Sequence, residues 1–132
     1  MTSTEDQHPT PFDELADESF CYLTTTGRIS GQPHTIEIWF ALRGTTAYML
    51  SGGRERSDWV RNILTSPEVT LRIGDREFRA LGRLVTEPNE DRVARDLVVG
   101  KYRPGYRGDL TSWRDGALVV AIDLESGGPP AL

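Results

Sequence analysis

Residues 23–67 read LTTTGRISGQPHTIEIWFALRGTTAYMLSGGRERSDWVRNILTSP. The order predicted from this stretch is strand, glycine-rich turn, two more strands, a second glycine-rich turn and a helix. Phe20 to Thr26 is a β-branched and aromatic run, and GRISGQP (Gly27–Pro33) cannot prolong it, because Gly and Pro punctuate both of its ends. From His34 to Leu42 the chain alternates as one strand, with Ile36, Ile38, Phe40 and Leu42 on one face and Thr35, Glu37, Trp39 and Ala41 on the other. Arg43-Gly44-Thr45 makes a tight hairpin into a third strand, Thr46 to Ser51. Gly52 and Gly53 end that strand. Ser57 and Asp58 are good caps for a helix running to about Thr65, with Val60, Ile63 and Leu64 buried, and Pro67 stops it.

Working outward, Phe12 to Phe20 predicts a short helix with Phe12, Leu15 and Ala16 at helical spacing. Downstream, Val69, Leu71 and Ile73 mark a fourth strand, Gly74-Asp75 a turn, and Phe78, Ala80, Gly82 and Leu84 a fifth strand. A second helix follows Pro88 with Val93, Leu97 and Val98 inward, and YRPGYRGDLTSW (Tyr102–Trp113) reads as irregular. Ala117 to Leu124 is a continuously apolar last strand, buried on both faces. Residues 1–11 and 126–132 are expected to be disordered tails around a single domain over residues 12–125. Six mostly antiparallel strands with two inserted helices predict a mainly-β barrel rather than a doubly wound sheet.

The bulk properties narrow the function. A chain of 132 residues with 37% hydrophobic and 27% charged residues is a soluble globular domain with a real core. Its net charge is −5 and no basic run occurs, which argues against nucleic acid as a partner. Lys101 is the one lysine among 15 basic residues, a skew that most simply reflects genome composition. Cys21 is the only cysteine, so no intrachain disulfide forms, and its place between Phe20 and Tyr22 predicts a buried thiol. The acidic, polar first residues are no signal peptide and no apolar run spans a bilayer, so a cytoplasmic protein without membrane insertion is expected. The two histidines, His8 and His34, cannot build a metal cluster, and no metal site is expected. GxSxG, GxGxxG and GxxxxGK[ST] are all absent.

What remains is the pair of glycine-rich turns. In the first, the hydroxyls of Thr24, Thr25 and Thr26, the small Gly27 and Gly31 and the fork of Arg28 suit a phosphate or carboxylate. The same residues also describe an ordinary surface loop with a solvated arginine. In the second, Ser51, Gly52 and Gly53 could present amides, Arg54 or Arg56 a charge, and the helix dipole about 0.3–1 kcal/mol of further attraction for an anion. Simple capping by Ser57 accounts for that turn equally well. Adjacent strands would set the two turns side by side. Trp39 and Trp59 either pack or stack on a flat ring, and Tyr106 and Trp113 sit where a lid would lie.

Taken together, LTTTGR-x-SG-x-P-H-x-IEIWFA, YMLSGG and DWVRNI-x-x-x-P-x-V-x-x-RIG resemble the deazaflavin-dependent nitroreductase and quinone reductase family. The likeness covers about Tyr22 to Asp123. It implies a split β-barrel, related to the pyridoxamine-phosphate-oxidase-like flavoproteins, that uses coenzyme F420. By position, the resemblance implicates Thr25, Thr26, Gly27, Arg28, Ser30, Gly31, Pro33 and His34 in holding the cofactor from the first turn. From the second come Ser51, Gly52, Gly53, Arg54, Ser57, Trp59 and Asn62, and the KY-x-x-GY segment implicates Tyr102 and Tyr106 on the substrate side, as catalytic residues. Ile29 and Gln32 stand where many family members carry basic residues that help hold an oligoglutamate tail. The implied activity is hydride transfer from reduced deazaflavin to a small-molecule acceptor: a quinone, a nitro compound or an activated alkene. The alternatives are an FMN-dependent oxidoreductase on the same barrel and a non-catalytic flavin- or haem-binding protein. A homodimer is expected by analogy with split barrels that pair.

Overall fold

In the computed structural model, which describes residues 14–125, the stretch from His34 to Leu42 is two strands rather than one. β2 (Pro33–Ile38) stops before Trp39, and β3 (Ala41–Arg43) resumes after Phe40. The remaining strands are β1 (Cys21–Thr26), β4 (Thr46–Ser51), β5 (Glu68–Ile73), β6 (Arg76–Leu84) and β7 (Leu118–Leu124). They form one seven-stranded sheet in the order β2-β1-β5-β6-β7-β4-β3, and every pairing is antiparallel. β2 and β3 therefore occupy opposite edges of the sheet, although only Trp39 and Phe40 separate them in sequence. That is possible only because the sheet curls into a half-barrel, as expected for a split barrel.

The kink between the two edge strands has a physical cause. Phe40 turns fully into the core, so its amide and carbonyl leave the ladder and need other partners. The Tyr102 hydroxyl accepts the Phe40 N–H at 3.0 Å and lies 2.8 Å from the Ser19 carbonyl and 3.1 Å from the Phe40 carbonyl. Lys101 donates to the same Phe40 carbonyl at 3.0 Å, with its ammonium 3.7 Å from the centre of the Phe40 ring. Burial pushes the Tyr102 hydroxyl up to about 12 and lowers the Lys101 pKa. Tyr102 thus stays a neutral hydrogen-bonding group at physiological pH.

Three α-helices accompany the sheet among the described residues. α1 (Asp58–Thr65) follows β4, α2 (Pro88–Tyr102) follows β6, and α3 (Thr111–Gly116) starts at the end of the segment expected to be irregular. The predicted helix before β1 is a short 3₁₀ turn at Glu14–Asp17, with Leu15 buried; Phe12 and both expected tails lie outside the described residues. α1 closes the inner core, where Val60 and Ile63 meet Leu23, Leu71, Phe78 and Ile122. Gly82 permits this approach, since a Cβ there would lie 2.8 Å from Ile63 Cγ2. α2 covers the outer side of β3, β4 and β7, and its fully buried residues are Ala94, Val98 and Val99. Val93 and Leu97, expected inward, are half-buried beside that row. Cys21 is buried and free, and burial pushes its thiol up to about 12. Among the described residues no helix is long and apolar enough to cross a membrane.

A polar network pins the start of α2 to the sheet. Arg83 donates to Glu90 at 2.8 and 3.1 Å and to Asp123 at 2.7 and 3.3 Å. Tyr48 donates to Glu90 at 2.6 Å, and Thr46 to Asp123 at 2.8 Å. The Arg83 hydrogen bonds hold the Glu90 carboxyl down to about 2, from an ordinary 4.5.

Two outcomes follow. Tyr102→Phe strands the Phe40 amide and should lower unfolding stability by about 1–3 kcal/mol in urea titrations. Because Glu90 binds a proton less readily when folded, its contribution is complete above pH 4.5 and lost as pH falls through about 2. Glu90→Gln should therefore flatten the pH dependence of stability between those values, as read by thermal melts across an acid series.

Candidate functional site

The site grows from the β1–β2 hairpin. Gly27 donates to the Gln32 carbonyl and Gly31 to the Gly27 carbonyl, both at 2.8 Å, which folds GRISGQ into a tight loop. Gly31 has φ of +74°, where glycine is at ease and other residues are strained. A Cβ on Gly27 would sit 2.6 Å from His34 Nε2, so a larger residue there would displace the imidazole. Ser30 Oγ accepts the Gln32 amide at 3.0 Å and lies 3.4 Å from the same imidazole nitrogen. The loop is thus internally braced before any ligand is considered.

Helix α1 clips onto this loop through Asn62, which is 3% exposed. Its Nδ2 donates to Thr25 Oγ1 at 3.0 Å, while its Oδ1 accepts from the Arg28 backbone amide at 3.1 Å and from the Arg28 guanidinium at 3.0 Å. The other end of that guanidinium reaches Asp58 at 3.2 Å. Arg28 is therefore held along its length rather than waving in solvent. Among the described residues, no buried side-chain nitrogen or oxygen lacks a hydrogen-bond partner.

Between loop and helix lies a cleft of about 560 Å³. The β1–β2 hairpin lines it with Thr25, Gly27, Arg28, Ile29, Ser30 and His34, and α1 with Asp58, Trp59 and Asn62. Thr35 and Ile36 of β2 complete the wall. The volume lies within the usual range for small-molecule sites, and the lining mixes an apolar face (Ile29, Ile36, Trp59) with few, convergent polar groups. Ile29 is 90% exposed at its rim. A second cleft of about 650 Å³ borders Thr24, Thr26, Pro33, Thr70 and Arg79, and shares Thr25 with the first.

The residues expected from the second turn are arranged otherwise. β1 and β4 are not neighbours in the sheet, so no shared ladder sets the two turns side by side; α1 makes the connection instead. None of Ser51, Gly52, Gly53, Arg54 and Ser57 lines the 560 Å³ cleft. Ser57 holds the cap position of α1, yet its hydroxyl pairs with Ser51 Oγ at 2.9 Å instead of capping. Ser51 in turn donates to the Arg54 carbonyl at 3.0 Å. Arg54 has φ of +55° and donates to the Gly116 carbonyl at 2.7 Å, and Gly52 packs beneath Trp113. This turn is tied to α3.

The aromatic group is a single cluster centred on Trp39. Tyr102 stacks on it at 4.1 Å, with Tyr106 and Trp113 edge-on at 6.1 and 5.7 Å. Tyr106 is 47% exposed, whereas the Tyr102 hydroxyl is committed to the kink at Phe40. Neither tyrosine lines the 560 Å³ cleft. Asp58, Thr35 and Ile36 line it without having been singled out from the sequence. Asp58 was legible only as a helix-start residue, and nothing local in the sequence says that Arg28 meets it. No group of three or more His, Cys, Asp or Glu side chains among the described residues could hold a metal ion.

Comparison with known proteins bears on the fold and the family. A crystal structure of a candidate 5-nitroimidazole antibiotic resistance protein from Bacteroides thetaiotaomicron superposes with a TM-score of 0.70 at 12% identity, over 91% of this chain and 81% of that one. A candidate pyridoxamine 5′-phosphate oxidase from Listeria innocua gives 0.64 at 18%, over 85% and 88%. An F420-H2 dependent reductase gives 0.66 at 18%, over 80% and 94%. At such identities these likenesses speak for the split-barrel fold. The model of the F420H(2)-dependent quinone reductase family matches residues 10–125. The chain belongs to that family, an F420-dependent group of oxidoreductases whose cofactor is coenzyme F420.

Proposed function

We propose that this oxidoreductase binds reduced F420 in the cleft between the β1–β2 loop and α1, and passes a hydride to a quinone, nitro compound or activated alkene. The observation that carries the reading is the Asn62 clip, which fixes Arg28 at a cleft that Trp59 and Ile36 line with aromatic and apolar surface. A cofactor with a flat ring and an anionic tail needs those two surfaces, and the donor set fits it.

The roles follow from the contacts. Arg28 offers positive charge, and its fixed geometry spares the ligand the cost of ordering it. Gly27 lines the cleft without a side chain and Gly31 supplies the turn, with Ser30 and His34 as hydroxyl and imidazole partners. Trp59 and Ile36 present apolar surface to a ring and exclude water from it. The bound cofactor supplies the hydride, and the protein supplies orientation and dryness. Tyr106, exposed and edge-on to Trp39, is the residue we place on the acceptor side. Tyr102 acts through the Phe40 kink as a positioning residue. Pairing of two copies belongs to this proposal on the analogy with paired split barrels.

FMN is the second reading. It is favoured by Ile29, an aliphatic side chain almost fully exposed at the cleft rim, where a basic residue would meet a polyanionic tail.

Fluorescence titration of the apo-protein with F420 and separately with FMN tests the assignment. Saturable F420 binding, FMN much weaker, and a loss of about tenfold or more in F420 affinity on Arg28→Ala is the expected result. Preference for FMN makes the second reading the working one, and unchanged affinity in Arg28→Ala removes the cleft assignment. Rapid loss of F420H2 absorbance on adding menadione or a nitroaromatic checks the transfer step.

A further inference from the structure

We propose that Asp58 is a built-in competitor for the ligand's anion at Arg28, and so sets how tightly the cleft holds its cofactor. The inference rests on the cofactor reading of that cleft. The two ends of the Arg28 guanidinium differ in kind. One end is bonded at 3.0 Å to Asn62, a buried amide that also takes the Arg28 backbone N–H. The other is bonded at 3.2 Å to Asp58, whose side chain is 84% exposed. The Arg28 charge is therefore already paired, and with a carboxylate that lines the same cleft.

An anion reaching Arg28 either displaces Asp58 from it or sits beside that like charge, and each costs affinity. Displacement is feasible because exposed ion pairs are weak. It is also local, because Asp58 has no other hydrogen-bond or ion-pair partner among the described residues. As the first residue of α1, its carboxylate keeps the favourable field of the helix N-terminus after letting go of Arg28. Nor does Arg28 need Asp58 for its orientation, which Asn62 fixes through two separate bonds. Asp58 thus attenuates binding without building the site.

The test is F420 titration by fluorescence of the wild-type protein and of Asp58→Asn, each at low and high salt. The expected result is binding about two- to fivefold tighter in Asp58→Asn, with the gap shrinking at high salt as charge effects are screened. Equal or weaker binding by the variant, with wild-type binding intact, overturns the inference and leaves the cofactor reading standing. Absence of saturable binding by both proteins overturns both together. A gain that persists unchanged at high salt also overturns it, since it would not come from charge.

Discussion

The structure depends on one unusual demand placed on the backbone at Phe40. A single run of chain supplies both edges of a seven-stranded sheet, and it can do so only by breaking at Trp39 and Phe40 and turning the Phe40 ring inward. That turn takes an amide and a carbonyl out of the ladder, and unpaired buried backbone groups are costly. The Tyr102 hydroxyl and the Lys101 ammonium, delivered together by the end of α2, satisfy them. The only lysine of the chain is thus spent on barrel closure. So is one of the tyrosines that family resemblance places near substrate.

A second linkage sits at α1. Asn62 joins that helix to the β1–β2 loop, and Gly82 lets the same helix lie close against β6. The cleft is the space left between loop and helix, so its shape follows from that close packing and the three hydrogen bonds of Asn62. A site built in this way is largely formed before a ligand arrives, which lowers the ordering cost of binding. Its charge is another matter, since Arg28 brings a positive group and Asp58 a neighbouring negative one.

Much of this was legible in the sequence. Alternation placed β5 and β6 correctly, the apolar run placed β7, and Gly27, Gly31 and Pro67 marked real boundaries. The hairpin residues Thr25, Gly27, Arg28, Ser30 and His34 do gather at one cleft, together with Trp59 and Asn62 from α1. The kink at Phe40 escaped notice because period-two alternation continues through it unbroken; only the curl of the whole sheet requires the break. Strand order escaped for a similar reason. Proximity in sequence put the two glycine turns on neighbouring strands, whereas β5, β6 and β7 lie between β1 and β4. Ser57 and Ser51 were readable as polar turn residues, but the bond between them depends on a local geometry that no residue pattern encodes. The pairing of Asp58 with Arg28 is likewise a contact across 30 residues of sequence.

The account's central claim is that the cofactor lies between the β1–β2 loop and α1, and the most direct measurement is a crystal structure of the protein with F420. The account predicts ring density against Trp59 and Ile36, with an anionic group at Arg28. Density for the cofactor confined to the second cleft, beside Thr24, Thr70 and Arg79, would contradict it.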